Sequence, residues 1–327
     1  MSDKYKSLSE PDFFWKNFRL GTELQISGTL IYNALYFLDT IEYIHHEEDI
    51  FELLYNLAIG IERLQKITII LLEHSESINQ LDFEKSLITH NHLILHEIIN
   101  KIQSIKLGKV HFKFLSLLRD FYTSYRYERF NKKSINKPNF DKKAFQEFLV
   151  NELQLETSKD DEALYPYKKE EWIENNKRLK KFIGKTIGTI VNSLYEIIGD
   201  RARKLGTYTY DIRYGSKAFK IFMAKEFTFE IENNFKKEII VSLLSKEGMN
   251  DEFKKYIQTL EPINLDEYNS SYYIQYLMNS ITNYSRISEY QYLIEEKEIP
   301  KDRINDIEHI GTGQYFDFDF EDDEISK

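Results

Sequence analysis

"SLITHNHLILHEIINK", residues 86–101, places His90, His92 and His96 within seven positions, with Glu97 directly behind them. Histidine is scarce elsewhere, eight in 327 residues, so this cluster is the sharpest local signal in the chain. The stretch reads as a helix over roughly 88–105 with Thr89 as its N-cap. Residues four apart share a helix face, which would let His92 and His96 ligate one ion while His90 points elsewhere. A zinc site needs further ligands from another helix. Glu42 and His45, spaced E-x-x-H, are one such pair, but a di-metal carboxylate bundle requires two of these elements. Asn100 also stands where an H-E-x-x-H helix would carry its second histidine. The expectation is therefore no metal site, with polar histidines at a helix end as the plainer reading.

Working outward, apolar residues recur at helical spacing on both sides. "TELQISGTLIYNALYFLDTIEYIH" (22–45) repeats through Leu24, Ile31, Leu35 and Leu38. "DIFELLYNLAIGIERLQKITIILLEH" (49–74) and "HFKFLSLLRDFYTSYRYERF" (111–130) behave alike. Four helices with short connections predict a bundle. Only twelve glycines and five prolines interrupt the chain, which also favours long helices. "NKKSINKPNFDKK" (131–143) is the best linker, which divides the chain into a bundle over 1–135 and a second, mostly helical region over 136–310. A helix starting near Lys168 and passing Trp172, Leu179 and Ile187 opens the second region. "TYTYDIRY" (207–214) and "EFTFEIE" (226–232) alternate with period two and suggest one short strand pair, with "SKAFKIFMA" (216–224) helical between them. Further helices are expected over 232–247, 250–260 and 266–296. The fold class is thus mainly α.

Cysteine is absent, which excludes disulfides, thiol nucleophiles and thiolate metal sites. The first residues lack the apolar core of a signal peptide, and "ITIILL" (67–72) falls far short of a membrane span. A cytoplasmic protein with no membrane contact and no cofactor is expected. The net charge of −10 is unevenly spread. Residues 101–225 hold 27 Lys/Arg against 15 Asp/Glu, while the remainder holds 17 against 39. A basic middle of this kind suits phosphate groups of RNA or a nucleotide, or else forms solvated helix faces. The acidic, aromatic tail over 311–327 reads as disordered.

Three stretches, in order, resemble the HEPN superfamily, the higher eukaryote and prokaryote nucleotide-binding helical bundles. "GIERLQK" (60–66) is similar to that family's Glu-Lys-x-x-Lys helix. "THNHL" (89–93) resembles the H-[DN]-L start of the next helix. "LLRDFYTSYRYERF" (117–130) resembles the last helix, which often ends in an Arg-Tyr pair, here Arg126 and Tyr127. The likeness covers about residues 15–135.

The resemblance implies an RNA- or nucleotide-directed protein of bacterial defence or toxin type, acting as a homodimer, many members being metal-independent ribonucleases. Those enzymes use R-x(4-6)-H, in which Arg holds phosphate and His assists proton transfer. That spacing is missing from the bundle here, and its formal match is Arg303 to His309 in "RINDIEH", near the tail. A different placement brings His90, at a helix start, together with Arg126 and Arg129 at the end of the last helix, with Lys66 facing the same cleft. Arg supplies bidentate phosphate contacts and a neutral His can shuttle a proton. Outside the bundle, Arg213, Ser216 and Lys217 gather around Gly215 and could seat an anion at a helix start. The competing expectation is a non-catalytic sensor or interaction protein that dimerises through its bundle and binds a protein partner.

Overall fold

Two helices too apolar to stand alone open the chain. α1 (Leu20–Thr40) continues without a break from a first turn, Pro11–Phe14, and a π-helical stretch, Trp15–Arg19. After the two-residue strand β1 (Tyr43–Ile44) comes α2 (Glu47–Glu73). α2 buries Leu53, Leu57, Ile61 and Leu64 on one side, and Leu54, Ala58, Ile69 and Leu71 on others. A helix apolar on several faces must be covered from several directions. α1, α4 (His92–Ile102) and α5 (Lys109–Asp120) do so, with the short α3 (Gln80–Ser86) in the connection before α4. α1, α2, α4 and α5 form the predicted helical bundle.

The computed structural model describes residues 10–75, 77–128, 130–132, 140–155, 158–159, 171–244, 252–260, 270–278, 284–296, 299, 303, 307 and 310. The acidic tail and most of the proline-bearing linker (133–139) lie outside them.

The bundle does not end the first compact unit. α6 (Phe140–Leu153) and α7 (Lys177–Leu205) also pack on α2 and α5. Phe145, Leu149, Leu179, Ile183 and Ile187 join the core that holds Leu24, Ile31 and Leu57. The strand β3 (Glu171–Glu174) pairs antiparallel with β1, Tyr43 opposite Glu174 and Ile44 opposite Ile173, and on its other side with β2 (Ser158–Lys159). Asn175 tightens this join, its Nδ2 donating to the carbonyls of Leu38 and Ile41 at 2.6 and 2.8 Å. Gln146 Nε2 donates to Ile44 O at 3.0 Å. The compact units are Met1–Phe229 and Glu230–Lys327, so the division falls well after the linker expected at 131–143. Shared core residues, not linker composition, decide where it lies.

The strands also differ from expectation. Trp172 sits in β3, ahead of the helix, and residues 207–214 and 226–232 form no ladder. In the first stretch Tyr208 and Thr209 turn to the N-terminal helix. Tyr208 N donates to Asn17 Oδ1 at 2.7 Å and Thr209 Oγ1 to Lys16 O at 2.6 Å. Phe229 in the second stretch, and Lys225 just before it, take left-handed backbone angles (φ 55° and 53°), which break an extended run. Between them α8 (Lys217–Phe222) is helical as predicted and packs on α1. The contact is close: a Cβ at Gly28 would lie 2.6 Å from both Ala218 Cβ and Phe222 Cε2, so only glycine fits the crossing.

The second unit contains α9 (Glu230–Leu244), α10 (Glu252–Thr259), α11 (Ser270–Met278) and α12 (Tyr284–Glu295). α9 leaves Ile231, Phe235 and Ile239 exposed at four-residue spacing. Among the described residues no helix is long and apolar enough to cross a membrane. The protein is mainly α.

Candidate functional site

His90 sits two residues before α4, just ahead of the cap. The N-cap is Asn91, whose Oδ1 accepts from Leu93 N and Ile94 N, whereas Thr89, the residue expected to cap, accepts from Asn91 N. Asparagine is an equally good cap, so the helix starts two residues later than its sequence signal. The shift leaves His90 in the loop, its side chain 48% exposed, beside the middle of α2.

There it meets Glu62. The Glu62 side chain is 10% exposed and is held twice: Lys66 Nζ donates to Oε1 at 2.7 Å, and His90 Nδ1 lies 3.0 Å from Oε2. A buried carboxylate needs such partners, because desolvation without them is costly. The other side of His90 is aromatic, its ring 4.7 Å from that of Tyr122.

Tyr122 comes from a π-helical stretch, Phe121–Tyr125, that continues α5 and passes directly into the turn Arg126–Glu128. A π turn adds a residue to the helix, rotating the side chains beyond it by roughly 100° relative to unbroken α-helix. Arg126 then lies over two rings, with Cζ 3.6 Å from the Tyr122 centroid and 4.5 Å from that of Tyr127. Its Nε is buried and makes no hydrogen bond among the described residues. Asp120, a nearby acid on the same helix, is taken by Arg119.

His90, Lys66 and Arg126, far apart in sequence, are thus gathered around Glu62 and Tyr122. Counting Glu62, Lys66 and Arg126, the group carries one net positive charge, and two when His90 is protonated. Arg129 lies outside the described residues, as does His309. Arg303 is in the second unit, with Nε buried and unbonded among the described residues. Sequence reasoning misses two members of the cluster. Glu62 is legible as the residue one turn before Lys66, and Tyr122 as the residue one turn before Arg126. Only the tertiary fold puts His90 between them.

The other histidines of the opening stretch are core residues. His92 Nε2 donates to Ala58 O at 2.9 Å, and Gln65 Nε2 donates to His92 O at 2.9 Å, stitching α4 to α2. Burial pushes the pKa of His92 below 6.5, and burial lowers that of His96, whose ring packs edge-on against Phe112, as well. Among the described residues no group of three or more His, Asp or Glu is placed to hold a metal.

Around Gly215 (φ 73°) two of the three expected anion ligands are bonded within the protein. Ser216 caps α8 by accepting from Phe219 N and donates to Gln25 Oε1 at 3.3 Å. Lys217 Nζ donates to Asn33 Oδ1 at 2.7 Å. These bonds seat α8 on α1, and Arg213 remains exposed beside them.

No protein-family model, no curated protein and no solved structure matches this chain.

Proposed function

We propose that the chain is an RNA-directed protein of HEPN-like type, with His90 and Arg126 as its reacting pair. The supporting observation is their convergence on one tyrosine ring, His90 from the loop before α4 and Arg126 from the turn after α5, next to a buried carboxylate. Arg126 would hold a phosphate oxygen of the backbone, the role for which a guanidinium is best shaped. His90, through Nε2, would take the proton of the ribose 2′-hydroxyl as that oxygen attacks the adjacent phosphorus. The P–O5′ bond breaks, and the same proton passes to the departing 5′-oxygen, leaving a 2′,3′-cyclic phosphate and a 5′-hydroxyl. The excess of basic residues over 101–225 suits a polyanion.

Incubation of the purified chain with total cellular RNA and tRNA, with and without EDTA, tests this. Cleavage should survive chelation and disappear in His90→Ala and Arg126→Ala while helical circular dichroism is retained. Intact RNA in every condition would remove the nuclease reading. The second reading, an interaction protein without catalysis, draws support from the exposed Ile231, Phe235 and Ile239 of α9. It predicts no cleavage and a change of partner binding on Phe235→Glu.

A further inference from the structure

We infer that Glu62 is a positioning residue for His90, fixing which ring nitrogen carries the proton and which is left to react. This deepens the RNA reading and rests on it for the catalytic part alone.

The chemistry of the two partners assigns the proton. An ionised carboxylate only accepts hydrogen bonds, so the His90 nitrogen facing it, Nδ1 at 3.0 Å, must be the protonated one. In a neutral imidazole the proton on Nδ1 leaves a lone pair on Nε2. Nε2 lies on the opposite edge of the ring and makes no hydrogen bond among the described residues. A free histidine side chain favours the reverse form, with the proton on Nε2, which cannot accept one there. Glu62 therefore opposes an intrinsic preference, as the buried carboxylate of a serine-hydrolase triad does for its histidine. Lys66, 2.7 Å from the other carboxylate oxygen, balances the charge and ties Glu62 to its own helix. Lys66, expected to face the same cleft as His90 and Arg126, gives its ammonium to the residue that holds His90. Tyr122 backs the imidazole ring. Positioning thus comes from α2 and α5, while the reactive atom stands in the loop before α4.

The test uses the full chain labelled with 15N-histidine, its ring nitrogens observed by NMR at a pH above the imidazole range, with His90 assigned from His90→Gln. Wild-type His90 should show the Nδ1–H form, and Glu62→Ala should convert it to Nε2–H. His90 found as Nε2–H in the wild type, or unchanged in Glu62→Ala, overturns the inference. Should Glu62→Ala fail to fold, the isosteric Glu62→Gln replaces it, and the wild-type tautomer decides by itself. On RNA, Glu62→Gln should lower kcat about a hundredfold or more, with little change in KM. A switched tautomer with unchanged kcat would leave Glu62 a purely structural partner and overturn the positioning role. A switched tautomer in a chain that cuts no RNA would sink the RNA reading and leave the positioning of His90 standing.

Discussion

Arg126 owes its place to the flat face of Tyr122, and a lysine there would keep the charge while losing the stacking. Arg126→Lys is expected to weaken RNA binding about tenfold, read by fluorescence anisotropy. Its salt dependence should stay that of the wild type, whereas Arg126→Gln should lower the slope of log affinity against log salt by about 0.7, the value for one phosphate on a single strand. His92 answers a different measurement. Buried and neutral, it has a folded pKa below the 6.5 of an open imidazole, so on acidification the unfolded chain takes up its proton first. Stability contributed this way is complete above pH 6.5 and is lost as pH falls below it towards the folded value. Chemical denaturation across that window should show the decline, and His92→Gln, which keeps a donor for Ala58 O, should flatten it. The sequence singled out His90 and Arg126 from type and position, and the fold brings both against Tyr122. It could not reveal that His92 is buried, because a histidine on an amphipathic helix reads the same whether its face is covered or not.

At the level of elements, helices were legible and strands were not, for a physical reason. Each helix writes its own apolar period over many residues, and α1, α2, α5 and α8 fall close to where that period places them. The strands are two to four residues long, too short to show alternation, and β1 depends on a partner far along the chain. Residues 207–214 do alternate, yet their hydrogen bonds go to the N-terminal helix and to α7, so period two there reflects packing of a loop. The α1–α8 crossing offers a prediction of its own. Gly28→Ala forces a methyl against Ala218 and Phe222 and should destabilise the chain by about 1–3 kcal/mol, seen as a lower denaturation midpoint with unchanged slope.

For the whole molecule, the position of the first unit's boundary is the most consequential difference from the sequence reading. A fragment of residues 1–135 would expose the faces of α2 and α5 that α6 and α7 cover. It should express as an aggregating or loosely ordered species, while residues 1–229 should unfold in one cooperative transition; circular dichroism and denaturant titration distinguish the two. Composition pointed to the linker because polar residues and Pro138 punctuate any chain, whether or not a core continues beyond them. The same architecture sets an order of events during synthesis. Glu62, His90 and Arg126 all leave the ribosome early, but α2 is not enclosed until α7 emerges, with Arg201 reaching the carbonyls of Leu71 and Leu72 at its far end. At about 5–20 residues per second, the roughly 80 residues from Arg126 to Leu205 delay that enclosure by about 4–16 s. On the proposed reading, the groups that would cut RNA thereby stay unassembled for most of the chain's time on the RNA-rich machine that makes it.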